Sequence, residues 1–185
     1  LELIQPRKKN ICCSRSFANE VKTFREMADS VIHYLSTAAE KMRSQHLTAN
    51  SISVFIETNG FKEKGVYTNS ATMKIVPTDS TLEMIPHALR ILKAIYKPGY
   101  EYRKSGVLLL GLQPVEGETK RLFNEASYLQ DKALMTALDA INSKYGRGTV
   151  RFGISTRHQP KWHMNRNHLS SAFTTDSTQI ISIKI

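Results

Sequence analysis

Apolar and polar residues alternate with a period of two near the start of the chain, Ile11, Cys13, Arg15 and Phe17 against Asn10, Cys12, Ser14 and Ser16. That pattern predicts a strand with one small polar face. A helical period takes over next. Val21, Phe24, Ala28, Val31, Leu35, Ala38 and Met42 recur at spacings of three and four, which predicts a helix over about 19–45. Lys41 and Arg43 would then occupy its last turn, where the helix dipole favours them. Residues 50–58 read as a second strand with Ile52, Val54 and Ile56 on one face. After a turn between Asn59-Gly60 and Gly65, residues 66–76 alternate again. Asn69, Ala71, Met73 and Ile75 oppose a polar face of Thr68, Ser70, Thr72 and Lys74.

Ser80 with Glu83 three residues on is a capping box. It opens a helix whose stripe reads Leu82, Ile85, Leu89, Leu92 and Ile95, ended by Lys97-Pro98-Gly99. Pro86 inside it predicts a kink or a later start, because proline lacks an amide N–H. Tyr102–Leu110 reads as a fourth strand. The order strand–helix–strand–strand–helix–strand predicts an α+β fold of the split βαβ (βαββαβ) type. Its four-stranded sheet would carry both helices on one face and leave the other free. Such a face is solvated in most antiparallel sheets; with hydroxyls and cations on it, it is also suited to a phosphate backbone.

Residues 113–126, rich in Gly, Glu and Pro, predict a linker, and 127–144 a third helix with Leu134, Leu138 and Ile141 in line. Gly146 should end that helix. Residues 149–154 and 179–185 read as short strands, with Trp162, Met164 and Leu169 as apolar anchors, so 127–185 forms a small C-terminal α/β appendage. Residues 1–9, opening Leu-Glu-Leu-Ile, resemble the end of a linker, as in a fragment of a longer protein; 10–112 forms the main domain.

The 185 residues carry 26 Lys+Arg against 16 Asp+Glu, a formal net charge of +10. The excess sits in 1–115 and 147–185, on either side of a near-neutral stretch. Such a balance suits a polyanionic partner. No run is apolar enough for a membrane span. The two cysteines, Cys12 and Cys13, are strand neighbours on opposite faces, so they neither bridge each other nor form a usual zinc site, and a reducing compartment fits. As strand residues beside Ile11 they read as small hydrophobes rather than nucleophiles. His33, alone on its helix, reads as packing rather than as a ligand. No Walker-type glycine loop, His-Glu-x-x-His or Cys-x-x-Cys occurs, and the acids form no cluster suited to two-metal phosphoryl transfer. No cofactor is expected in this chain.

Several stretches resemble UmuC-like Y-family DNA polymerases: Cys12-Cys13-Ser14-Arg15-Ser16-Phe17, Ala38-Ala39-Glu40-Lys41-Met42-Arg43, Tyr67-Thr68-Asn69-Ser70-Ala71 and Tyr102-Arg103-Lys104-Ser105-Gly106-Val107. Met135–Thr149, Trp162-x-Met164-x-Arg166-x-x-Leu169-Ser170 and Phe173-Thr174-Thr175 extend the match through nearly the whole chain. The resemblance implies a little-finger domain that grips primer–template DNA without reading sequence, as the C-terminal part of an error-prone translesion polymerase of the SOS response. The catalytic carboxylates and Mg²⁺ would belong to a palm outside this chain, so this piece would not polymerise. The residues it implies for DNA are Ser14, Arg15, Ser16, Ser70, Thr72, Lys74, Arg103, Lys104 and Ser105, joined by the basic run at Lys8 and Lys9. In Thr119-Lys120-Arg121-Leu122-Phe123, Leu122 and Phe123 match the sliding-clamp motif of the family, whose leading glutamine is missing here. The tail also departs from the pattern at Asn165, Ser171 and Phe173. UmuD′ and RecA are further partners implied by analogy, in the cytoplasm of a bacterium at the nucleoid, with no membrane.

Other readings stay open at this level. A stand-alone RNA-binding module of the same fold would need stacking aromatics on its free face. A protein-interaction module would carry its charge incidentally. A membrane-surface protein would need a basic amphipathic helix with bulky aromatics.

Overall fold

The computed structural model describes residues 8–60, 65–115, 125–152, 160, 162–163, 170–171 and 178. Its elements run β1 (Asn10–Val21), α1 (Phe24–Arg43), β2 (Leu47–Thr58), β3 (Thr68–Thr78), α2 (Thr81–Ile95), β4 (Tyr102–Leu110), β5 (Gln113–Pro114) and α3 (Glu125–Tyr145). The expected βαββαβ order holds. The main sheet is ordered β1-β4-β2-β3 with every neighbour antiparallel, so β1 and β3 are its edges. Each helix connects two strands that a third strand separates, which is the split βαβ arrangement.

Both helices cover one face. Ile11, Cys13 and Phe17 from β1, Ile52, Val54 and Ile56 from β2, and Val107 and Leu109 from β4 are buried there. They meet Met27, Val31, Leu35, Ala38 and Met42 of α1 and Met84, Ala88, Ile91, Leu92 and Ile95 of α2 in one core. Thr23 caps α1 by accepting from the Glu26 amide, and Ser80 caps α2 by accepting from that of Glu83, as Ser and Thr do at N-caps.

Several boundaries differ from the sequence pattern. β1 runs on to Val21, which is fully buried as a strand residue, so α1 starts at Phe24 rather than near residue 19. Val21 fits both periods, and the Thr23 cap decides between them. α2 keeps its start at Thr81 despite Pro86. The amide that Pro86 lacks would serve the Leu82 carbonyl, and both residues are exposed, where water can serve it. The buried stripe of α2 is Met84, Ala88, Ile91, Leu92 and Ile95, whereas Leu82 is exposed and Ile85 and Leu89 lie half-buried at its margin. Small Ala88 lets the helix lie close, so the stripe rotates toward it. In α3 the expected line also fails. Leu134 and Ile141 are exposed, and Met135 and Asn142 are buried instead.

α3 docks largely through polar groups. Arg43 forks onto Asp139, Nε to Oδ2 at 2.6 Å and Nη2 to Oδ1 at 2.8 Å. Its Nη1 also donates to the Asp79 carbonyl and Thr81 Oγ1. Gly146, at φ 101°, ends α3 as expected. Thr149–Phe152 is not a strand: Asn142 holds the segment through both polar groups of Val150, accepting from its amide and donating to its carbonyl. Trp162 is buried, and its indole N–H donates to Asp29 on α1 at 2.9 Å. Met164, Leu169, the strand expected at 179–185, and Leu122 and Phe123 lie outside the described residues.

Candidate nucleic-acid interface

The sheet face opposite the helices is open, and its composition follows from the register. Residues in register share a face, and neighbours along a strand alternate. Four rows therefore cross it. They are Asn10–Leu110–Ser51–Lys74, Cys12–Leu108–Ser53–Thr72, Ser14–Gly106–Phe55–Ser70 and Ser16–Lys104–Glu57–Thr68. The edge columns are polar. Cys12, Ser16, Ser70, Thr72 and Lys74 are exposed, and Ser14 is half-buried. The centre carries an apolar ridge of Leu110, Leu108 and Phe55.

That ridge depends on Gly106. A Cβ there would lie 2.3 Å from Phe55 Cζ and 2.5 Å from Ser14 Cβ. The bare glycine lets the Phe55 ring lie across β4. Lys104 stands 5.4 Å from the centroid of the Phe55 ring and 3.3 Å from Glu57 Oε2.

The register divides the residues expected to touch DNA. Ser14, Ser16, Ser70, Thr72, Lys74 and Lys104 share the open face, and exposed Lys8 and Lys9 precede its β1 edge. Arg15 and Ser105, paired with each other, face the helices. Ser105 is fully buried, its hydroxyl 2.9 Å from that of Ser30 on α1. Arg15 is exposed beyond the helix layer and lines a cleft with Tyr34 and Lys41. Arg103 is the extra residue of a bulge, since Lys104 pairs with Glu57 while Tyr102 pairs with Thr58. The bulge turns Tyr102 into the core. Arg103 is half-buried, its Nη1 donating to the Ala18 carbonyl at 3.0 Å.

Open-face residues beyond the expected set are Asn10, Cys12, Ser51, Ser53, Phe55, Glu57, Thr68, Gly106, Leu108 and Leu110. The alternation of β2 already carried the middle ones, as complements of Ile52, Val54 and Ile56. Cys12 and Cys13 point to opposite faces and both are free thiols. Burial pushes the Cys13 thiol up, and the Lys41 ammonium opposes it. Among the described residues, no group of three or more His, Cys, Asp or Glu could hold a metal, and no helix is long and apolar enough to cross a membrane.

Residues 8–122 match the model of the impB/mucB/samB family C-terminal domain, and residues 132–183 match a domain of unknown function. The chain is 34% identical to protein UmuC of Salmonella typhimurium over 187 residues, covering all of this chain and 44% of that protein. It is 35% identical to protein SamB of the same species over 191 residues, again all of this chain and 44% of the relative. The chain thus spans less than half the length of these curated relatives. Among solved structures, an insertion ternary complex of Dbh DNA polymerase aligns at a TM-score of 0.41 and 14% identity, over 60% of this chain and 31% of that one. A complex of the β-clamp processivity factor with the little finger domain of PolIV aligns at 0.41 and 14%, over 62% and 98%.

Proposed function

The chain belongs to the impB/mucB/samB family, and from that premise we propose that its open sheet face is a sequence-independent grip on duplex DNA. The observation that carries the reading is the layout of that face. Three strand spacings of about 4.8 Å set the β1 and β3 columns about 14 Å apart. The B-DNA major groove is about 12 Å wide. Hydroxyls and one cation in the two columns, Ser14 and Ser16 on one side and Ser70, Thr72 and Lys74 on the other, are therefore spaced to meet the two backbones flanking the groove. Phosphate contacts position a protein without reading bases. Among the described residues Phe55 is the one aromatic on this face, which is too little for the stacking platform of a single-strand or RNA reader.

In this reading the chain is the C-terminal part of an error-prone translesion polymerase acting in SOS repair, in the bacterial cytoplasm at the nucleoid. Polymerisation, with Mg²⁺ and deoxynucleotides, belongs to the part of the longer relatives that this chain does not span. Leu122 and Phe123 are proposed to dock on the sliding clamp, and residues 127–185 to meet UmuD′ or RecA.

Fluorescence anisotropy with a blunt-ended DNA duplex over a salt series tests the grip. Affinity should be indifferent to sequence and fall with salt. Lys74→Gln with Lys104→Gln should flatten the slope by up to about 1.8, two phosphate contacts at about 0.9 each. A slope and affinity unchanged in that variant would overturn the assignment of this face.

A further inference from the structure

A second set of cations gathers on the other side of β1. The outer surface of α1, the β1 edge, α3 and residues 147–152 and 162–163 enclose a cleft of about 400 Å³. Arg15, Lys41, Arg147, Arg151, His33 and His163 line it. The carboxylates in its wall are already engaged. Asp139 is forked by Arg43, Asp29 accepts the Trp162 indole N–H, and Glu40 faces Arg147 at 3.8 Å.

The cations are less well matched. Lys41 reaches the Cys13 thiol, Nζ to Sγ at 3.6 Å, and a thiol is a weak acceptor. Arg15 donates to the neutral Ser14 carbonyl. Arg151 is exposed, with no ion pair to a described residue. Burial first, then the charges of His163 and Arg151, hold His33 below the usual imidazole range, with Asp29 opposing.

We infer that this cleft seats one nucleotide of a single-stranded DNA segment continuing from the duplex on the sheet face. The inference rests on the DNA-grip reading. A volume of about 400 Å³ suits one nucleotide rather than a folded partner. Lys41 and Arg151 offer an ammonium and a guanidinium fork for phosphate oxygens, beside the apolar bodies of Tyr34 and Phe152. The route is short. Ser14 faces the sheet surface and its neighbour Arg15 faces the cleft, so a backbone leaving the face crosses only the width of an edge strand. An acidic peptide could use the same cations, but nothing on the sheet face would lead one in.

The test compares the intact chain on a blunt duplex and on the same duplex with a four-nucleotide single-stranded overhang. Wild type should bind the overhang duplex about tenfold tighter, with a steeper salt slope. Lys41→Gln with Arg151→Gln, both at exposed positions, should erase that gain and flatten the overhang slope by about 1.4, two single-strand contacts at about 0.7 each. Blunt-duplex affinity should stay unchanged. A gain that survives in this variant, or no gain in wild type, would overturn the inference while leaving the sheet grip intact. Failure of the grip itself shows separately, as blunt-duplex affinity indifferent to the Lys74 and Lys104 changes. Tighter binding of a labelled glutamate decamer than of the overhang, lost in the same variant, would also overturn it by reassigning the cleft to acidic peptides.

Discussion

Gly106→Ala separates two physical arguments of opposite sign. Strand propensity favours the change, since glycine in a strand costs about 0.5–1 kcal/mol relative to alanine. The structure opposes it. The new Cβ would lie 2.3 and 2.4 Å from two atoms of the Phe55 ring and 2.5 Å from Ser14 Cβ. The ring can rotate away, at the cost of its packing across β4. Ser14 Cβ cannot, because the backbone of β1 fixes it, and facing Cβ atoms in a sheet sit about 4.5–5.5 Å apart. β1 must therefore shift. Overpacking of this kind costs about 1–3 kcal/mol, and with the displaced ring added and the propensity gain subtracted the expected loss is about 2 kcal/mol. For a chain of this size that is a fall in Tm of roughly 4–8 °C, readable by circular dichroism and by the urea midpoint. Adding Phe55→Ala should cost less in the Gly106→Ala background than in wild type, because there the ring has already lost its packing across β4 and its removal relieves one of the two clashes. A Gly106→Ala variant as stable as wild type, or more so, would refute the close approach of β1, β4 and β2 on which the open face is built.

Four side chains extend the account. Arg43→Ala should cost about 2–4 kcal/mol and make α3 the first segment cut in limited proteolysis, since it strands Asp139 and two further acceptors. Trp162 is the only tryptophan, so native emission should be blue-shifted by burial. Asp29→Ala, which removes the indole's acceptor, should move it to the red well before global unfolding in urea. His33 is held below its ordinary value by burial, then by His163 and Arg151, with Asp29 opposing. The unfolded chain therefore takes up the proton first. Stability from this group is complete above about pH 6.5 and declines as pH falls from there toward the folded value. The urea midpoint of wild type should drop between pH 7.5 and 5.5 by more than that of His33→Gln.

Much of the fold could be read from period alone, where a strand has one uninterrupted apolar face. Ile52, Val54 and Ile56, and the polar column of β3, fall where the alternation puts them. The reading failed where polar groups or small residues do the packing. α3 is seated by Asp139 and Asn142, which an apolar periodicity ignores, and Ala88 draws α2 inward without looking like a core residue. The bulge at Arg103 has no signature in the alternation, yet it decides that Tyr102 turns inward and that Arg103 stands out of register. Arg15 was legible and passed over. It shares the parity of Ile11 and Phe17, so the pattern itself set it on the helix side, away from Ser14 and Ser16. The cleft could not be found from sequence, because β1, α1, α3 and the 147–152 segment meet only in the folded chain.

The most direct test of the central claim uses the thiol already present on the proposed DNA surface. Cys12 is exposed on the open face, in the row of Leu108, Ser53 and Thr72, while Cys13 is buried on the other side of the sheet. A duplex carrying a disulfide-activated thiol tether on its backbone should trap the protein through Cys12 in high yield. Trapping should fall to background in Cys12→Ser, and stay there when Arg90→Cys places a new thiol on the exposed side of α2. Equal or greater trapping through position 90 would put the DNA on the helix layer and contradict the account.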